Sequence, residues 1–256
     1  MNPFSRYVTG KDLIMSEITL ETRQASESGD IEAQYEMGVY HITTKGPEYS
    51  LEKAVAMFRK AADGGHSRAQ CNLGYLYMQG VGVENNSLLS VSYFRRAAEQ
   101  GLSEAQSTMG ACYEKGLGVP INYLEAFKWY VRAAAQGDSD AQYNLGLAYY
   151  EGKGCPRNYE QAVKAFQQAA ENGKTDALYS LGLSYSLGHG VEKSPKKAIA
   201  YYRQAAESDH ASAIFNLGLY YYYGEGVEVD KVEAKKLFAR AAAMGHDKAQ
   251  HAYQSV

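Results

Sequence analysis

The segment AQYNLGLAYYEGKG, Ala141 to Gly154, returns along the chain at one fixed step. Its alanine recurs as Ala33, Ala69, Ala105, Ala141, Ala177, Ala213 and Ala249, always 36 residues apart. Its first glycine recurs as Gly38, Gly74, Gly110, Gly146, Gly182 and Gly218. A period of about 20–50 residues means stacked units, each completing its core against its neighbours. The chain is a repeat protein, and every other motif is weighed inside that frame.

The unit beginning at Ser67 shows the plan. In SRAQCNLGYLYMQG the spacing of Ala69, Leu73 and Tyr77 puts them on one helical face. Gly80 and Gly82 then build a short loop. A second helix starts after a position filled in turn by Ser50, Asn86, Asn122, Asn158, Ser194 and Asp230. All six are preferred N-caps, whose side-chain oxygen takes a free amide of the first turn, and Pro195 after Ser194 suits the first helical position. This helix carries an aromatic at one register: Phe58, Phe94, Tyr130, Phe166, Tyr202 and Phe238. Small residues such as Ala97-Ala98 and Ala133-Ala134 follow, where helices approach closely. Glycines (65, 101, 137, 173, 245) end it. Asp209 replaces that glycine once and predicts a slightly different turn.

Outside the six units, residues 1–15 are irregular. Residues 16–30 are read as a degenerate second helix, because RQASESGD falls on RKAADGGH one period later. That places an N-terminal capping half-repeat at 16–30, six repeats at 31–246, and a restarted first helix at 247–256 as the other cap. The expected architecture is all-α, a right-handed α-α superhelix of six helix-turn-helix repeats.

A formal net charge of −3, with no long single-sign run, gives no nucleic-acid footprint. No apolar stretch reaches the length of a membrane span, and Lys11, Asp12 and Glu17 break up any signal-peptide core. Cys71, Cys112 and Cys155 fall at three different repeat positions, so no disulfide framework is built in. A reduced, cytoplasmic setting is the expectation, with export by a route lacking such a signal left open.

The pattern A-x-x-x-[LM]-G-x-x-Y-x-x-G-x-G-V, an N-cap, then A-x-x-x-[FYW], A-A and a final G resembles the SEL-one-like repeat (SLR) family, from about Asp30 onward. That family is related to tetratricopeptide repeats but has a longer interhelical loop. The first unit departs most, with His41, Thr44 and Pro47 replacing the tyrosine, the first loop glycine and the valine; the second has Ser90 for the helix alanine. The resemblance implies an adaptor or scaffold for protein complexes.

Three chemical motifs have simpler readings. The G-x-G pairs, such as Gly152/Gly154, lie between two helices, whereas a dinucleotide loop needs a strand before it. Ser50-Leu51-Glu52-Lys53 and Ser194-Pro195-Lys196-Lys197 fit the S-x-x-K of penicillin-recognising enzymes, but both serines occupy the N-cap register and the companion boxes are missing. His66, His210 and His246 share one register a repeat apart, too far to converge on one metal ion. No catalytic, cofactor or metal residue is assigned.

By the same resemblance, the first helices line the concave face. Its variable positions lie just before the alanine and two, six, nine and ten residues after it. They place Glu104, Asp140 and Asp176 at one edge, with Tyr143, Tyr150, Glu151, Tyr179, Phe215, Tyr222 and Tyr223 beyond. Asn144 and Asn216, with Asn72, sit three residues past the alanine, placed to meet a peptide backbone or to brace a loop. First-turn acids also suit a helix dipole, whereas aromatics dominate binding hot spots. The expected function is a non-enzymatic scaffold whose groove takes a protein segment with basic and apolar residues. The alternatives are a regulatory subunit or secreted effector acting through the convex face and, remotely, a penicillin-recognising hydrolase.

Overall fold

The computed structural model describes residues 18–44 and 46–255, which form fourteen helices and no strand. Six helix pairs follow one another: α2 (Ile31–Thr43) with α3 (Leu51–Asp63), α4 (Ser67–Gln79) with α5 (Ser87–Glu99), and α6 (Ser103–Lys115) with α7 (Tyr123–Ala134). Then come α8 (Ser139–Glu151) with α9 (Tyr159–Glu171), α10 (Thr175–Leu187) with α11 (Pro195–Glu207), and α12 (Ala211–Tyr223) with α13 (Lys231–Ala243). The short helices α1 (Leu20–Glu27) and α14 (Asp247–Gln254) stand at either end. The fold is an all-α solenoid of repeated helix pairs. Residues 1–15, expected to be irregular, lie outside the described residues.

The second helices begin where their caps stand. Ser50, Asn86, Asn122, Asn158, Ser194 and Asp230 each accept the amide three residues on, at 2.9–3.4 Å. The first helices from α4 to α12 end on a left-handed glycine, as at Gly152 with φ +76°, a conformation that a Cβ disfavours. Only α2 departs, and Thr44, standing in the glycine's place, is extended. Asp209 gives the slightly different turn expected there: the glycines of its register take φ of +83° to +98°. It takes φ +55° and repeats the bonds made around Gly65, with its amide on Ala206 and that of His210 on Ala205. Aspartate tolerates this region better than most side chains, and its carboxylate holds Arg240 Nη2 at 2.6 Å.

The chain divides into two compact units, residues 1–133 and 134–256. In the first, Val39, Phe58, Leu73 and Leu76 form one buried cluster, and Phe94, Met109 and Trp129 a second. In the second, Phe166 and Leu181 form one, and Tyr202, Ile214, Leu217 and Leu237 another.

Each pair is locked by contact between the recurring glycine and the recurring ring. A Cβ added at Gly38, Gly74, Gly146 or Gly218 would lie 2.5–2.6 Å from the ring of Phe58, Phe94, Phe166 or Phe238. The missing methyl lets the ring lie flat on the first helix, where it is buried completely or nearly so. Within the first compact unit, successive repeats meet through the interhelical loops. Gly82 rests on Leu51 and Val55 of the preceding second helix, and Gly118 rests on the Ser87 carbonyl and Val91.

Candidate protein-binding surface

The surface is built on α8, α10 and α12 of the second unit. Each helix turns its recurring alanine and glycine inward, with Ala141, Ala177 and Ala213 fully buried. The positions two, six, nine and ten residues beyond are left at the surface. They carry Tyr143, Leu147, Tyr150 and Glu151 on α8, and Tyr179, Leu183, Ser186 and Leu187 on α10. On α12 they carry Phe215, Leu219, Tyr222 and Tyr223. All are half-buried except Glu151, Leu187 and Tyr223, which are exposed. At the same registers of the first unit Tyr35, Val39, Ile42 and Cys71 are buried, Tyr75 and Met78 are half-buried, and Ser107 and Glu114 are polar.

The rings are not free-standing. Tyr143 leans on Phe166 and Tyr179 on Tyr202, with centroids 5.8 and 5.9 Å apart, and Phe215 on Phe238 at 5.6 Å. Each also meets the residue that opens the next first helix. Lys174 Nζ lies 5.8 Å from the Tyr143 centroid, and His210 and His246 stack on Tyr179 and Phe215 at 4.8 and 4.5 Å. Tyr150 donates or accepts at His189 Nδ1 over 2.8 Å and packs edge-on against Tyr159. Burial pushes the phenols of Tyr143 and Tyr150 up from the ordinary value, so both remain neutral donors at neutral pH.

The predicted acids are already engaged. Asp140 holds Lys174 Nζ at 2.6 Å, and Asp176 holds the same nitrogen at 3.4 Å and His210 Nε2 at 3.5 Å. Burial lowers Lys174's affinity for its proton, but the two carboxylates outweigh it and hold the ammonium above the usual lysine range. Glu151 pairs with Lys153 at 2.6 Å. Glu104 lies in the first unit, half-buried beside Tyr75, and its charge helps raise that phenol behind the larger effect of burial. Of the asparagines, Asn216 hydrogen-bonds Tyr202 and Asn144 is half-buried. Asn72 is buried with no acceptor for its Nδ2 among the described residues.

Two features escaped the sequence reading. His66 and His210 are helix caps: Nδ1 accepts the amide of Ala69 or Ala213 at 3.1–3.2 Å, and the proton on Nε2 of His66 reaches Glu32 at 3.1 Å. The register, which Asp138 and Lys174 also occupy, suits a solvated turn, and it is the cap that the sequence pattern does not reveal. The second is a buried amide ladder, in which Gln34, Gln70, Gln106 and Gln142 donate to the last carbonyls of the preceding helix, those of Ser26, Ala62, Ala98 and Ala134. Its signal was a glutamine beside the recurring alanine in four successive units. The serines of both S-x-x-K motifs are accounted for as caps, since Ser50 and Ser194 accept the amides of Lys53 and Lys197.

The model of the Sel1 repeat matches six consecutive segments, 31–66, 67–102, 103–138, 139–174, 175–210 and 211–246. The chain belongs to the Sel1-repeat family. Sel1-repeat proteins generally mediate protein–protein interaction and are generally non-catalytic scaffolds. Among solved structures, c5321, described as a protective antigen present in uropathogenic Escherichia coli strains displaying an SLR fold, is 35% identical, with a TM-score of 0.86. That match covers 93% of this chain and 51% of the other, so this Sel1 chain spans about half its relative's length. A Sel1 repeat protein from Oxalobacter formigenes is 31% identical, with a TM-score of 0.73 over 90% of this chain and 86% of that one. The immunity protein PA5088 from Pseudomonas aeruginosa, 21% identical at a TM-score of 0.51 over 84% and 81% of the two chains, shares the fold alone. A search of the curated proteins returned no match. Among the described residues no helix of the Sel1 array is long and apolar enough to cross a membrane.

Proposed function

We propose that this chain is a non-enzymatic scaffold that binds a protein segment along α8, α10 and α12. The observation that carries the reading is the recurrence of partly exposed rings and leucines at matching registers of three successive first helices, ending in Leu187 and Tyr223 at the surface. Rings already braced from behind lose little freedom on binding, which is what makes aromatic anchors effective. The segment expected is extended and predominantly apolar. Because Asp140 and Asp176 share Lys174, basic residues in the partner add less than the apolar ones.

The test is to titrate a captured partner against the wild-type chain, against Tyr150→Ala with Tyr222→Ala, and against Leu187→Ala with Tyr223→Ala. Tyr223 is 66% exposed, so the second pair leaves the fold intact. A fall in affinity of at least about tenfold for both is expected. Unchanged affinity in folded variants would sink the reading.

One observation favours a second surface, on the loop side of the first unit. Leu88 is 76% exposed, Ile121 58% and Leu124 53%. Gly118, resting on Ser87, brings the Leu117–Ile121 loop beside Leu88. A regulatory partner docking on this side would be lost on Leu88→Asp with Leu124→Asp and retained in the Leu187/Tyr223 variant.

A further inference from the structure

The face formed by α8, α10 and α12 repeats itself more strictly than helix packing demands. Six residues past the recurring alanine the chain reads Val39, Tyr75 and Ala111 in the first unit, then Leu147, Leu183 and Leu219 in the second. All three leucines are half-buried. Beside each stands a half-buried ring, Tyr143, Tyr179 or Phe215, four residues earlier and so one turn away on the same face. Because tyrosine and alanine fill the leucine register elsewhere, the fold does not require this identity. Three equal sites at equal intervals fit a ligand that repeats at the same interval.

That interval is narrow. Side chains of neighbouring first helices meet, Lys174 Nζ reaching Asp140 at 2.6 Å and Tyr220 Oη donating to Ser186 Oγ at 2.7 Å. The sites are therefore one packed helix step apart, about 8–10 Å. A β-strand returns a side chain to one face every second residue, after about 6.6 Å, and points its third residue away. A polyproline II helix rises about 3.1 Å per residue with about three residues per turn, so every third side chain returns after about 9.3 Å. An α-helix can match with residues seven apart, at about 10.5 Å, but its carbonyls are already bonded within the helix. This face offers donors: the hydroxyls of Tyr179 and Tyr222 make no hydrogen bond among the described residues. A polyproline II segment has no internal hydrogen bonds and leaves its carbonyls free to accept.

Charge points the same way. The rim carboxylates are met within the chain, Asp140 and Asp176 by Lys174 and Glu151 by Lys153, which matches an uncharged segment. Resting on the scaffold reading above, we propose that this face takes an uncharged polyproline II segment with a leucine-sized apolar residue at every third position. One such residue lies before each of Leu147, Leu183 and Leu219. Prolines between them hold the conformation in advance, so little chain entropy is lost on binding, and the neighbouring rings supply the aromatic lining against which such segments dock.

The test is fluorescence anisotropy of labelled synthetic peptides titrated with the 256-residue chain. Four Leu-Pro-Pro triplets make the matched probe. One extra proline at its centre breaks the phase, alternating Leu-Thr pairs supply a strand, and an alanine-rich peptide with leucines seven apart supplies a helix. The matched probe is expected to bind at least about tenfold more tightly than each of the others. Leu183→Asp is expected to remove that advantage, with circular dichroism to confirm that the helices are kept. Tyr179→Phe with Tyr222→Phe keeps the rings, removes only the donors, and is expected to weaken the matched probe about three- to tenfold. A dephased, strand or helical probe that binds as tightly as the matched one overturns the proposal and leaves the scaffold reading standing. So does a matched probe that fails to bind at millimolar concentration while the captured partner still responds to the Leu187/Tyr223 variant. A matched probe and a captured partner that both bind that variant like wild type overturn the two readings together.

Discussion

Gly146 lies so close to Phe166 that a Cβ on it would stand 2.5 Å from ring atom Cδ1. The two residues are twenty positions apart, on different helices, and each recurs with the period of the chain. The alanines set helix spacing; this pair sets helix rotation, because the ring fits flat only against the one bare turn. The variable positions of α8 are presented at the surface as a consequence of that rotation.

Gly146→Ala is therefore expected to destabilise the second unit. In a free helix the change is favourable by about 1 kcal/mol. Here the added methyl meets a ring that is 1% exposed and has nowhere to go, and overpacking of this kind costs about 1–3 kcal/mol. Phe166→Leu in the same chain should recover part of the loss, so a double-mutant cycle in urea gives a favourable coupling. Strict additivity would show that the two residues do not act as a unit.

His66 supplies the next prediction. Its Nδ1 accepts the Ala69 amide while its ring stacks on Tyr35 at 4.2 Å. His66→Ala removes both and should cost about 1 kcal/mol, the usual value of an N-cap. His66→Asn restores the acceptor and should recover most of it, as Asp30 and Asp138 do naturally in the same register, at 2.8 and 2.7 Å. Equal urea midpoints for the alanine and asparagine variants would show that the stack, not the cap, is what matters.

The repeat was legible because it is enforced by backbone chemistry. Caps such as Asn158 and left-handed glycines such as Gly152 leave single-residue signatures, and all six second-helix caps stand where their residue types place them. The surface was legible only in part. Tyr143 and Tyr179 were found by register, but register does not reveal that Lys174 and His210 cover their faces, since those partners come from the next unit. The same blind spot made Asp140 and Asp176 look like free acids. Asp140 pairs with Lys174, and Asp176 meets His210, each across a repeat boundary and about 34 residues away in sequence.

The three thiols allow a last prediction, about reactivity. All are unpaired; Cys71 and Cys112 are buried and Cys155 is half-buried. Burial pushes Cys112 from 9.0 up to about 11, and burial followed by the Glu104 charge pushes Cys71 well above its ordinary value. The thiolate is the nucleophile, so a raised value means less reactive sulfur at a given pH. At pH 9 an unperturbed thiol is about half ionised, whereas one titrating near 11 is about one part in a hundred thiolate. Cys155 is raised too, by partial burial, but it stays accessible while its thiol donates weakly to the Ala148 carbonyl. Iodoacetamide followed by peptide mass spectrometry should therefore label Cys155 first. Cys71 and Cys112 should react only on the timescale of unfolding, and urea should abolish the difference. Labelling of Cys112 as fast as Cys155 in the folded chain would mean that the α6 core around Met109 opens far more readily than its packing implies.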